Sequence, residues 1–350
     1  MNMRTAWAWH IFLLALVIDC TIPPMIARAA SCKTQSQMTA AQRDDLSNAV
    51  HTIAAEVQSG DMAALRAVTI PAVTDFSGIA GSVDSLKPLL RNAFITVNNL
   101  YALDASTERA DAARTDFYCG TPVVVLNIDN LPPGTYALAI LHATGVAQPQ
   151  QISLILSKAG DERWMLAGFF NRPMLEAGHD GLWYWVSARK FAQKTMNWDA
   201  WLYYRIAAIC LNPVDFLSSP NLEKLRHEED QVHPDGMPGT KPLMLSATDS
   251  VFQVTSIDAT TTFGALDLEV HYAPDAAQSS QLRDPMTARK QVTAVMTALL
   301  ALHPELQDAF HGIWVKADKG SDSVFSLELP MDQIIPGGKA KVTNPNSGNP

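Results

Sequence analysis

Read as apolar and polar positions, the chain falls into stretches with different periods. Over residues 38–61 the apolar residues Leu46, Val50, Ile53 and Val57 recur at helical spacing and form one stripe. A second helix reopens in "GDMAAL", with Ser59 or Asp61 near its start and Met62 and Leu65 turned inward. The period then shortens to that of strands. "FITVNNLYAL", "DFYCGTPVVVLNI", "GTYALAILHA", "QQISLILS" and "RWMLAGFF" read as β runs, separated by turn chemistry such as "NLPPGT" and "KAGDE". Two or three helices followed by a curved antiparallel sheet predict an α+β layer over residues 30–173.

Residues 174–235 return to a helical pattern. "GLWYWVSARKFAQK" and "WDAWLYYRIAAICL" predict two helices joined around Asn197, which can cap the second, with Asp199 in its first turn and Pro213 closing it. Ser219 and Pro220 open a further helix. Trp183, Trp185, Trp198 and Trp201 lie in this hairpin, half of the chain's 8 tryptophans, so its apolar surface must be covered by something. The first helix is apolar on more than one stripe, which favours an interdomain core over an open peptide or ligand groove. Residues 236–335 read as a second α+β domain. "LMLSA", "SVFQVTSIDA" and "ALDLEVHYA" are strands, and residues 284–310 read as one helix with Asp284 as cap and Pro285 first. "IWVKAD" and "SVFSLEL" form a hairpin around "KGSD". Residues 336–350 show no periodicity and predict a flexible tail.

The N-terminus changes the compartment. "TAWAWHIFLLALVI" is apolar but short for a membrane span, and Ala27-Arg28-Ala29 fits a cleavage site before Ala30. Residues 1–29 therefore predict a signal peptide, a secreted or periplasmic chain, and no transmembrane span after cleavage. Of the 4 cysteines, Cys20 leaves with the signal. Cys210 sits in apolar "RIAAICL" and reads as a core residue, so Cys32 and Cys119 are the expected disulfide. A net charge of -9 without a Lys/Arg cluster excludes a nucleic-acid footprint.

The "GDMAAL" helix followed by late strands ending "WMLAGFF" resembles the nuclear-transport-factor/SnoaL-like cone fold. That family includes ketosteroid isomerases, limonene epoxide hydrolases and many non-catalytic binding or dimerisation modules. The resemblance implies a cone pocket, for which Asp75, Tyr101, Asp104, Tyr118 and His142 supply acid, base and hydroxyl types. Alternation in "GTYALAILHA" sets Tyr136, Leu138, Ile140 and His142 on one face; if that bulky face lines the cone, His142 stands near its mouth. The helical hairpin resembles a single tetratricopeptide repeat, with Tyr184, Ala188, Phe191, Ala200, Tyr204 and Ala207 at the large and small positions. It departs from that repeat at Thr195, where a turn glycine is expected. The whole chain resembles secreted bacterial proteins.

Strong catalytic signatures are missing. "RHEEDQVHPDG" has Gln231 where a zinc protease needs its second His, and a charged helix end explains it better. Ser187-Ala188-Arg189-Lys190 matches Ser-x-x-Lys without the partner motifs of the penicillin-binding enzymes. No nucleophile elbow, phosphate loop or dinucleotide fingerprint occurs, so neither a cofactor nor a metal ligand set is expected. Two functions compete: a secreted binding or assembly protein whose partner is a protein (a second copy of the chain included) or a small molecule, and an isomerase or hydrolase working in the cone pocket. A cone filled by its own side chains favours the first; a deep pocket with converging polar groups favours the second.

Overall fold

The computed structural model describes residues 30–335, apart from 74–75, 122, 159, 161 and 248–249. The expected signal segment, the expected tail and Asp75 lie outside the described residues. The chain is α+β: three helices, a strand-rich stretch, a helical centre and a second helix-and-sheet layer.

Three helices come first: α1 (Ala40–Ser59), α2 (Met62–Ala67) and α3 (Ser77–Leu90). Thr39 and Gln42 form a reciprocal capping box at the start of α1, and Gly60 ends it in the left-handed region. Asp61 then accepts from the amides of Ala63 and Ala64, which restarts the chain as α2. A five-stranded antiparallel sheet follows in the order β1 (Ser31–Thr34), β2 (Phe94–Asp104), β5 (Thr135–Thr144), β6 (Gln150–Lys158), β7 (Trp164–Pro173). The run "DFYCGTPVVVLNI" is not one strand of it. It folds into a separate hairpin, β3 (Arg114–Cys119) and β4 (Val124–Asp129), because Gly120 adopts φ +67° and turns the chain.

The central segment contains the short strands β8 (Leu175–Glu176) and β9 (His179–Asp180), then α4 (Gly181–Gln193), α5 (Asn197–Leu211), β10 (Leu217–Ser218) and α6 (Pro220–Gln231). Asn197 does not cap α5. It is the first helical residue, and no side chain caps the preceding Met196. The turn before it closes α4: the amides of Lys194 and Met196 both donate to Phe191 O, with Thr195 at φ +57° where the repeat pattern has glycine. Ser219 caps α6 with Pro220 at its first position, as expected.

The last segment is a second five-stranded sheet in sequence order: β11 (Leu243–Ala247), β12 (Ser250–Thr260), β13 (Asp267–Ala273), β14 (Gly312–Lys319), β15 (Asp322–Pro330). β13 and β14 are parallel, so a crossover must join them. It is made by α7 (Ala276–Gln281), α8 (Pro285–Leu302) and α9 (Leu306–Ala309), and α10 (Met331–Ile334) ends the described chain. The single helix expected over 284–310 breaks at Leu302 because Pro304 cannot continue it.

Three apolar cores result. One lies between α1–α3 and the first sheet. A second lies on the opposite face of that sheet, under β3, β4 and β10, with Val214 and Leu222 from the central segment. The third joins α4 and α5 to α8 and the inner face of the second sheet. The aromatic hairpin thus has no core of its own: Trp198 and Tyr203 pack on His303 and Phe310 of the C-terminal segment, Tyr184 and Tyr204 are buried in the same core, and Trp183 stacks half-buried on His179 at 3.7 Å. Two side-chain devices hold the parts together. The Cys32–Cys119 disulfide ties β1 to β3, and Cys210 is buried and free, its thiol pushed up to about 12 by burial. Glu228 of α6 accepts from Trp185 Nε1 (2.7 Å), Arg189 Nε (2.7 Å) and Tyr204 OH (3.3 Å), locking α6 to α4 and α5. Burial alone would raise the Glu228 carboxyl; the Arg189 and Trp185 bonds outweigh it and hold the group low.

Candidate functional site

The residues expected in a cone pocket do not meet. β5 places Ala137, Ala139, Leu141 and Ala143 against the helices, and the small side chains let α1 and α3 approach the sheet closely. The bulky face, Tyr136, Leu138 and Ile140, packs instead under the β3–β4–β10 sheet. Tyr101 is buried in that second core, where desolvation raises its phenol. Tyr118 points outward from β3 and is exposed. Asp104 lies opposite Thr135 and accepts from Ser106 N and Oγ, while His142 lies opposite Thr96 at the other end of the same strand pair. At the rise of a β-strand that separates them by about 25 Å. His142 contacts Gln151 through Nε2 (3.1 Å), and burial lowers its imidazole pKa. Asp104 does line a cleft of about 300 Å³ with Lys33, Asp45, Lys158 and Trp164. The polar groups of that cleft bond one another: Trp164 Nε1 donates to Asp45 (2.9 Å) and Lys158 reaches Glu162 (3.2 Å).

"RHEEDQVHPDG" also resolves into structure. Glu228 is the hub described above, and His227 contacts Gln231 one turn on. The Ser187 hydroxyl is buried on α4 without a hydrogen-bond partner and far from solvent.

The ionisable chemistry collects elsewhere, on the outer face of the second sheet. Strand alternation sends Leu268, Val270 and Tyr272 of β13, and Ile313, Val315 and Ala317 of β14, into the core. Their neighbours Asp267, Glu269 and His271 therefore share the other face with Gly312, Trp314 and Lys316. Register completes two cross-strand rows: Asp258, Glu269, Trp314 and Glu328 in one, Ser256, His271, Lys316 and Ser326 in the next. Two clusters stand out.

In the first, His271 lies between two carboxylates, Nδ1 at 2.6 Å from Asp318 and Nε2 at 3.0 Å from Glu269. Lys316 bonds Glu269 and sits 3.6 Å over the Trp314 ring. Burial raises the Glu269 carboxyl, but the contacts from Lys316 and His271 outweigh it and the group is held low. Every member has an opposite-charge or hydrogen-bonding partner, so the cluster is a self-contained surface network.

In the second, Asp267, His311 and Glu328 offer ligand-type atoms that all lie within 4.8 Å of one another. Asp267 is fully buried; its Oδ1 lies 3.1 Å from His311 Nδ1, and its Oδ2 has no hydrogen-bond partner. Glu328 Oε1 is buried and equally unpartnered. Burial raises the Glu328 carboxyl, the Asp267 charge adds to the rise, and His311 opposes it. Gly312 leaves the space these groups share, since a Cβ there would lie 2.7 Å from Glu328 Oε1 and 3.0 Å from Asp267 Oδ1.

No family model, curated protein or solved structure matches the chain. The Cys32–Cys119 bond fits a protein matured in an oxidising compartment. Among the described residues, no helix is long and apolar enough to cross a membrane.

Proposed function

We propose that the protein is an exported binding or assembly module, released by cleavage before Ala30, and not a small-molecule isomerase or hydrolase. One observation carries this reading: both faces of the N-terminal sheet are packed by the protein's own side chains. Acid–base catalysis needs its groups within hydrogen-bond reach of one bound substrate. Tyr101, Asp104, Tyr118 and His142 point to four different places. The resemblance to cone-fold proteins is consistent with a module of the non-catalytic kind, in which the sheet supports a surface. Fold alone does not assign chemistry.

Exposed apolar side chains on the outside of this frame, Phe94, Tyr118 and Leu182, give the test its probes. Photo-crosslinking residues placed one at a time at these positions in the exporting cell should yield a protein adduct of defined mass from at least one site. An absence of protein adducts, together with a small molecule whose retention is lost in His142→Ala or Asp104→Asn, would replace this reading with the enzymatic one.

A further inference from the structure

We propose that Asp267, His311 and Glu328 bind one divalent first-row transition cation at the edge of the C-terminal sheet. The proposal goes beyond the binding-module reading and stands independently of it.

A buried carboxylate oxygen without a hydrogen-bond donor gives up its solvation and gets nothing in return, the more so when charged, so native chains leave few. Here two carboxylates, Asp267 and Glu328, each leave such an oxygen at one place. Among the described residues no lysine or arginine pairs with either; the one side-chain partner of Asp267 is the half-exposed imidazole of His311. Contrast the neighbouring network on the same face, where Glu269 has Lys316 and His271 to satisfy it. The same sheet therefore satisfies one acidic cluster from within and leaves the other to a ligand.

Geometry and donor chemistry define that ligand. The donors lie within 4.8 Å, and tetrahedral bonds of about 2.0–2.2 Å to one ion set donors about 3.3–3.6 Å apart; Asp267 Oδ1 and His311 Nδ1 are already at 3.1 Å, and a pair at the full separation closes by more than about 1 Å on binding. One imidazole and two carboxylates suit zinc or manganese; calcium takes six to eight oxygens, which three residues do not supply. Gly312 matters for the same reason, since any side chain at that position would occupy the space between Glu328 and Asp267. The backbone fixes the ligands firmly. Asp267 opens β13, Glu328 lies in β15, and His311 is held by its amide donating to Leu266 O and its carbonyl accepting from Met331 N. Three protein ligands leave at least one position for water, as in open rather than closed sites. The His311 side, half-exposed, is the route by which an ion enters.

Calorimetric titration of the EDTA-treated, dialysed mature chain with Zn²⁺ and with Mn²⁺ tests this. The expected result is saturable binding of one ion per chain for at least one metal, weakened about tenfold or more in both Glu328→Gln and His311→Ala. Binding that survives either substitution undiminished, or no saturable binding by the unaltered chain, overturns the proposal. Should the variants fail to fold, diethylpyrocarbonate labelling of the unaltered chain decides. Saturating ion should protect His311, and labelling of His311 at the ion-free rate overturns the proposal.

Discussion

In the N-terminal sheet both faces are used for packing, one against α1–α3 and one against the small β3–β4–β10 sheet. In the C-terminal sheet no apolar core among the described residues covers the outer face, which carries Asp258, Asp267, Glu269, His271, Lys316 and Glu328 on adjacent strands. The two sheets have the same number of strands, and the difference comes from the connections between those strands. In the N-terminal segment the connection from β2 to β5 supplies a second apolar layer, the β3–β4 hairpin. In the C-terminal segment the layer is α8, the crossover helix that a parallel strand pair requires, together with α4 and α5, all in one core with the sheet's inner face. A face without a second layer is free to hold charge. That is why the ionisable clusters sit where no cone-type reading would place them.

The steepest loss should come from the covered side of the C-terminal sheet. Trp201 is buried in the core that joins α5 to this sheet, so Trp201→Ala should cost about 3–5 kcal/mol. Trp185→Ala should cost a comparable amount, since that ring also donates to Glu228. Chemical denaturation measures both. Near-native stability for the pair would turn the aromatic surface into an open groove and break the contrast between covered and uncovered faces.

The next effect concerns the second layer of the N-terminal sheet. Cys32–Cys119 closes a loop with a sequence separation of 87 and pins β1 to the β3–β4 hairpin. Cys32→Ser should lower stability by about 2–4 kcal/mol and loosen that layer, exposing the Leu138–Ile140 face. Increased binding of a hydrophobic dye alongside the shifted denaturation midpoint would bear this out. An unchanged midpoint would mean that the layer is held by packing alone.

A smaller, pH-dependent effect separates the halves. Asp199 is fully buried with both carboxylate oxygens unbonded, and burial, then the charges of Glu305 and Asp308, raise its carboxyl to about 8. Its folded pKa thus lies above the unfolded one, so the folded chain retains a proton that the unfolded chain releases. Stability from this group is full below about pH 4 and is lost as pH rises toward 8. Asp199→Asn should therefore stabilise the protein at pH 8 by on the order of 1–2 kcal/mol, after the cost of a buried amide, and flatten the pH profile between 4 and 8. A variant less stable than the parent at both pH values would contradict the assignment.

Much of this was legible in the residues. The stripe Leu46, Val50, Ile53 and Val57, the caps Ser219 and Asp284, the strands of the last segment and the Cys32–Cys119 pair can be read from spacing and local chemistry; at the start of α2 local chemistry offered Ser59 or Asp61, and Asp61 is the cap. The strand face of β5 was legible as a pattern but not as a direction. Alternation separates Tyr136 and Leu138 from Ala137 and Ala139, yet only the close approach of the helices selects the alanine side for them. The acidic face shows the same limit. "DLEVHYA" and "GIWVKAD" each alternate polar and apolar residues, so Asp267, Glu269, His271 and Lys316 could be assigned to one surface. What no local pattern supplies is the parallel register of β13 and β14, which sets Leu268 beside Ile313 and so brings Asp267 to His311 and Glu328. Metal-ligand spacing in sequence is informative when one helix or loop carries the ligands; here a crossover of helices separates the first from the second.

The unsatisfied ionisable chemistry that can take up a ligand thus lies on the outer face of the C-terminal sheet and not in the N-terminal one. Sub-stoichiometric Mn²⁺ added to the isotope-labelled mature chain, read by amide line broadening in a two-dimensional nuclear magnetic resonance spectrum, puts this to the most direct test. Broadening centred on the amides of Leu266 to Leu268, His311 to Ile313, and Glu328 and Leu329 is the predicted result. Broadening centred on Asp104 or His142, or none that saturates at one ion per chain, would contradict it.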